Sequence, residues 1–159
     1  MCIRDRYCID YWSKELRVDI ASLKNKQKHR ITVFPFVRQF LARLRKKNYK
    51  IFLITNAHPD VIEIKLKKTW LEREFDHIVS SHSFGTPKET TAFWERLSQE
   101  ISYDPDETLF IDDSLGVLDK AYENKIRYIL TTKKPDSSKP SRIKCDYPMI
   151  SNFTEILPE

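Results

Sequence analysis

Five short apolar runs, four of them ending in polar or acidic residues, alternate along this chain with stretches whose apolar side chains recur every three or four positions. That alternation restricts the fold more than any other feature. The runs are Lys50-Ile51-Phe52-Leu53-Ile54-Thr55, Asp76 to Ser80, Thr108 to Asp112, Arg127 to Thr131 and Tyr147 to Ile150. Each has the length and composition of a buried strand. Between them the period predicts helices. Cys8, Trp12 and Leu16 share a face over Arg4 to Arg17, and Phe34, Val37, Leu41 and Leu44 share the next, with Pro35 in its first turn. Pro59 opens a helix carrying Ile62, Leu66 and Trp70, and Thr90 to Ile101 carries Phe93, Leu97 and Ile101. After Asp112, Leu115, Leu118 and Tyr122 are expected to face inward. Ser22 to Arg30 reads as a linker and Lys133 to Pro140 as a loop. Strands alternating with helices of this length predict an α/β domain, with a mainly parallel sheet covered on both faces.

At 159 residues the chain is long enough for one such domain with a real core. No apolar run approaches the roughly 18 residues of a membrane span. Charges in Met1 to Arg6 occupy the place of a signal peptide's apolar stretch. Cys2, Cys8 and Cys145 are too scattered for a disulfide scaffold or a zinc site, so reducing cytoplasm is the expected compartment. The formal charge is +5, with basic clusters at Lys24 to Arg30, Arg43 to Lys50 and Lys65 to Lys68. Such clusters either attract an anionic ligand or line solvated helix faces. The aromatics fall at apolar-face spacing rather than among the basic residues, and no RNA-binding motif is present. Nucleic acid and membrane are therefore not expected partners.

In a parallel α/β sheet, ligands bind beyond the carboxyl ends of the strands. Three of those ends carry polar groups suited to a phosphate or a cation. The first ends in Thr55-Asn56, where a hydroxyl and main-chain N–H groups can hold a phosphate oxygen beside a helix N-terminus. Thr and Asn are equally at home in ordinary turns and caps. The second is followed by Phe84-Gly85-Thr86-Pro87-Lys88. Gly85, one of only two glycines, and Pro87 would fix a tight loop presenting Lys88 either to a phosphate or carboxylate or simply to solvent. The third ends in Asp112-Asp113-Ser114. Two adjacent carboxylates suit Mg²⁺, which takes one or two protein carboxylates and fills its shell with water and phosphate oxygens. The competing reading is a helix cap at Asp113 or Ser114.

Thr-Asn, then Gly-x-Pro-Lys, then Asp-Asp-Ser, each after a strand and in that order, resembles the haloacid dehalogenase superfamily of phosphatases over nearly the whole chain. The resemblance implies a Rossmann-like parallel sheet with flanking helices. It also implies that Thr55 and Asn56 bind the phosphoryl group, that Lys88 steadies it and the nucleophile, and that Asp112 and Asp113 hold Mg²⁺. Ser114 would support the acidic loop through its hydroxyl. The double Asp is similar to the metal-dependent phosphatase branch rather than to the dehalogenases. Tyr7-Cys8-Ile9-Asp10-Tyr11-Trp12-Ser13, Leu53 to Pro59 and Leu109 to Ser114 look like the bacterial GMP/IMP nucleotidases of this superfamily. That implies a purine nucleoside monophosphate as substrate, and nothing else in the residues points to a purine.

One part of the pattern is missing. The superfamily's nucleophile is the first Asp of Asp-x-Asp-x-Thr after a first buried strand, and no such strand precedes Thr55. The literal match, Asp104-Pro105-Asp106-Glu107-Thr108, lies before its strand. Its carboxylates fall about 16 Å from Asp113, at roughly 3.3 Å per strand residue. We read it as a polar loop. The expected organisation is a remnant of a helical cap and linker over residues 1–30, and a core over residues 31–159 whose first central strand is absent. Met1 to Arg6 looks like translated adapter sequence, and the chain as it stands is expected to be an inactive fragment of a phosphomonoesterase. A non-catalytic nucleotide- or protein-binding domain of the same fold is the alternative. A receiver-type domain is disfavoured because Lys88 precedes Asp112.

Overall fold

Capping residues and apolar faces account for most element boundaries in the computed structural model, which describes residues 8–135 and 140–159. The chain divides into two units: Met1–Phe34 with Leu41–Pro87, and Pro35–Phe40 with Lys88–Glu159.

The first unit opens with helix α1, Ile9–Leu16, and helix α2, Ile20–Lys26. The expected start of α1 at Arg4 lies outside the described residues. The linker expected from Ser22 to Arg30 is instead helical, being α2 followed by a short 3₁₀ turn at Lys28–Arg30. The reason is local: Asp19 caps α2 by accepting a hydrogen bond from the Ser22 N–H at 2.8 Å, which offsets an otherwise polar sequence. Helix α3, Val37–Lys46, begins after a turn at Pro35-Phe36 rather than including Pro35. Phe36 there adopts a positive φ of 66°. Phe34, expected on the apolar face of α3, precedes that turn and is exposed, whereas Leu41 is buried.

Strand β1, Phe52–Thr55, pairs in parallel with β2, His77–Ser80, through the crossover helix α4, Pro59–Thr69. The pairing starts at Phe52↔His77 because Asp76 takes over the step before it. Its carboxylate accepts the Ile51 N–H at 2.8 Å, and its own N–H donates to the Ile51 carbonyl at 2.8 Å. Val61, Ile62 and Leu66 of α4 are buried. Trp70 does not continue that stripe. Thr69 ends the helix, and Trp70 turns left-handed at φ 55° and is 82% exposed. A four-residue helix α5, Ser81–Phe84, follows β2 and closes on Gly85 at φ 64°.

The second unit packs helix α6, Thr91–Glu100, and helix α7, Leu115–Glu123, with strands β3 (Leu109–Ile111), β4 (Tyr128–Thr132) and β5 (Met149–Ile150). The three strands are parallel, in the order β3-β4-β5. Phe93, Leu97 and Ile101 are buried as the period predicts, with Trp94 beside them. The inward face of α7 differs from expectation. Val117, Leu118 and Ala121 are buried, while Leu115 and Tyr122 are exposed. Both sets fit a 3.6 period. The small Ala121 suits contact with β4, and Tyr122 keeps its hydroxyl in water.

Among the described residues the strand pairing is parallel, with helix α4 as the crossover from β1 to β2 and helix α7 as that from β3 to β4, as expected for the fold class. The pairing forms two separate sheets, so β1 and β3 each have a ladder on one side only among the described residues. No helix among the described residues is long and apolar enough to cross a membrane.

Candidate functional site

At the end of β1, Thr55 pairs in register with Ser80 of β2. The Thr55 hydroxyl accepts the Ala57 N–H at 3.1 Å, folding Thr55-Asn56-Ala57 into a tight turn. Ser80 fixes the turn from the neighbouring strand by donating its hydroxyl to the Ala57 carbonyl at 2.7 Å. Ser80 Oγ also accepts the His82 N–H at 3.2 Å. His58 caps α4, with Nδ1 accepting the Asp60 N–H at 3.3 Å. The ring hydrogen is thereby left on Nε2, which lies 3.2 Å from Asp10 Oδ2 on α1. The His82 ring meets the His58 ring edge to face, centroids 4.7 Å apart. Asp10, His58 and Asp60 bring one ligand-type atom each within 4.8 Å of one another, although sequence reasoning gave them no role.

In the second unit, Lys88 is buried rather than solvated. Its ammonium donates to Asp112 Oδ2 at 2.5 Å, with 9% of each side chain exposed. Trp94 anchors the lysine backbone by donating its indole N–H to the Lys88 carbonyl at 2.9 Å. The same indole packs edge-on against Phe110 of β3, centroids 5.2 Å apart. Apolar packing within one unit thus carries both the lysine and the strand that ends in the acidic pair. The other oxygen of Asp112 accepts the Ser114 N–H at 2.9 Å. Ser114 occupies the cap position of α7, but its hydroxyl makes no capping bond. It is the backbone N–H of Ser114, then, that orders the loop.

Asp113 is held differently. Removal from solvent and then the neighbouring Asp112 carboxylate raise its carboxyl above the ordinary carboxylate range. Arg142 ties down the backbone here by donating to the Asp113 carbonyl at 2.5 Å and to the Thr131 hydroxyl at 3.0 Å. No spacing rule in the sequence connects Arg142 to the acidic pair, 29 residues earlier. The polar loop Asp104 to Thr108 lies at the amino end of β3, with a 3₁₀ turn over Pro105–Glu107 and Asp104 Oδ1 accepting the Asp106 N–H at 2.9 Å. Of the residues singled out by sequence, one unit brings together Lys88, Asp112, Asp113 and Ser114. Thr55 and Asn56 belong to the other.

Two adjacent hard carboxylates, one of them raised in pKa by burial and then by its neighbour's charge, form a donor set that fits Mg²⁺, since a divalent cation relieves their repulsion. The buried Lys88 ammonium places a fixed positive charge beside them.

Parallel pairing, helical crossovers and polar strand ends define an α/β fold that recurs among solved structures. A HAD phosphatase from Thermococcus onnurineus has a TM-score of 0.74 at 20% identity, over 92% of this chain and 67% of its own. A dehalogenase gives 0.63 at 16% identity, and this chain spans about half of it, 55%, while 79% of this chain is covered. At the level of sequence, the haloacid dehalogenase-like hydrolase model matches residues 6–135. The GMP/IMP nucleotidase YrfG of Escherichia coli (strain K12) is 34% identical over 152 residues, 96% of this chain and 68% of the relative. Its namesake in Shigella flexneri matches equally. The chain belongs to the haloacid dehalogenase-like hydrolase family.

Proposed function

We propose that this chain is the greater part of a Mg²⁺-dependent phosphomonoesterase that releases phosphate from purine 5′-nucleotides, GMP and IMP, through an aspartyl-phosphate. The buried Lys88–Asp112 pair next to Asp113 carries the reading. The identity with GMP/IMP nucleotidases supports the substrate class. Thr55 and the N–H groups of the Asn56 turn bind phosphoryl oxygens, and Lys88 offsets charge as the bond to the leaving group breaks. Asp112 and Asp113 would hold Mg²⁺, which supplies charge neutralisation at the phosphoryl group when bound. Ser114 and Arg142 keep the acidic loop in place through the bonds described above. The assigned compartment is the cytoplasm, and residues 1–30 are assigned to a helical cap with its linker.

The attacking carboxylate of this chemistry follows a strand in the Asp-x-Asp-x-Thr signature, and no strand of the described residues is followed by that signature. The only Asp-x-Asp-x-Thr match lies at the wrong end of β3, and this favours ligand binding without turnover for the chain as it stands. Calorimetry with GMP, in Mg²⁺ and then in EDTA, tests the reading. Metal-dependent binding without phosphate release is expected. Binding of equal strength in EDTA would remove the metal from the proposal.

A further inference from the structure

A cavity of about 370 Å³ opens beside the Thr55–Asn56 turn, wholly within the first unit. It is within the usual size range of small-molecule sites, roughly 300–1,000 Å³. Asn56 and the two residues after it line one end. The other walls come from three helices, each contributing residues four apart and therefore on one face. Helix α1 contributes Trp12 and Leu16, α2 contributes Ile20 and Lys24, and α4 contributes Val61 and Lys65. Trp12 is 41% exposed and its neighbour Tyr11 meets it edge to face, centroids 5.3 Å apart. An indole left uncovered in a cavity that also holds two ammonium-bearing side chains is matched to a flat, acceptor-rich ring on an anionic molecule. Inorganic phosphate or a sugar phosphate would leave the indole wall unused.

We infer that this cavity receives the base of the nucleotide, with Trp12 as the stacking wall and Lys24 and Lys65 selecting 6-oxopurines. The inference rests on the phosphate-binding role proposed for the Thr55–Asn56 turn, and it names the residues that choose the substrate. Stacking on an aromatic side chain favours any base. The lysines add discrimination, because an ammonium donates to the O6 and N7 acceptors of guanine or hypoxanthine, whereas adenine presents an amino donor in place of O6. These residues all belong to the first unit, and the acidic pair belongs to the second.

The test is calorimetric titration of the 159-residue protein, in Mg²⁺, with GMP, AMP, ribose 5-phosphate, guanosine and inorganic phosphate. GMP is expected to bind about tenfold more tightly than ribose 5-phosphate, the size of one base–aromatic stack. Trp12→Ala removes that advantage and leaves ribose 5-phosphate unchanged, while Trp12→Phe keeps most of it. Lys65→Met lowers the preference for GMP over AMP. Thermal melts of each variant show that the fold is intact. Equal affinity for GMP and ribose 5-phosphate, or a Trp12→Ala loss shared equally by both, overturns the inference and leaves the phosphate reading standing. Trp12-dependent binding of guanosine, with no binding of either phosphate compound, supports the base site and overturns the phosphate reading. Failure of all five to bind overturns both.

Discussion

The Lys88 ammonium lies 2.5 Å from Asp112 Oδ2, and only 9% of either side chain is exposed. A buried pair of this kind is a weak source of net stability, because desolvating both ions offsets most of their attraction. Removing one partner alone leaves the other charged and uncompensated. Lys88→Met is therefore expected to cost about 3–5 kcal/mol in urea unfolding. The double variant Lys88→Met with Asp112→Leu should recover most of that loss. A single and a double variant of equal stability would show that the pair is not coupled.

Asp113 contributes in the opposite sense. Burial and the Asp112 charge raise its carboxyl, so the folded chain holds that proton at pH values where the unfolded chain has released it. Its ionisation lowers stability as pH rises from the unfolded carboxylate range through the raised folded value. Asp113→Asn should therefore raise the Tm of the metal-free protein at neutral pH. Mg²⁺ should raise the Tm of the wild type and leave that of Asp113→Asn unchanged. Melts with and without Mg²⁺ across pH 4 to 8 check both expectations.

Asp76 has the usual carboxylate behaviour. The Ile51 N–H, and then the Arg45 guanidinium at 2.9 Å, hold its pKa below the ordinary value. The stability this confers is present above the unfolded carboxylate pKa and is lost as pH falls through the lowered folded value. Asp76→Asn should cost about 1.5–3 kcal/mol at neutral pH, the range for hydrogen bonds to charged groups. The difference from wild type should shrink as pH falls below the ordinary carboxylate value. Urea unfolding across an acid pH series measures it.

Arg142 supports the acidic loop through the Asp113 carbonyl without touching either carboxylate in the bonds described above. Arg142→Ala should weaken Mg²⁺ binding several-fold in calorimetry, with the secondary structure by circular dichroism unchanged. Unaltered affinity would mean that the loop is ordered without it.

Strand-forming runs were legible in the sequence because each is short, apolar and bounded by polar residues, and all five appear within a few residues of their expected limits. The polar residues at their ends were legible for the same reason, since they interrupt an apolar pattern. Helix faces were less so. Leu115 and Tyr122 fit the period of α7 as well as Val117 and Ala121 do, and only packing decides between them. Trp70 was misplaced because its backbone turns left-handed just where the apolar spacing continues. Arg142 and the Asp10–His58 contact join residues 29 and 48 positions apart, a proximity set by the fold rather than by local spacing. The α2 helix was hidden by its lysines and polar residues, and Asp19 alone signalled its start.

The most direct measurement is phosphate release from GMP, with Mg²⁺ and with EDTA. It compares the 159-residue chain with a chain extended by the coding sequence read in frame upstream of Met1. The extended chain should release phosphate only with Mg²⁺, and Asp113→Asn should abolish the release. The 159-residue chain should bind GMP and release none. Near-normal turnover in extended Asp113→Asn, or equal turnover in EDTA, would contradict the account.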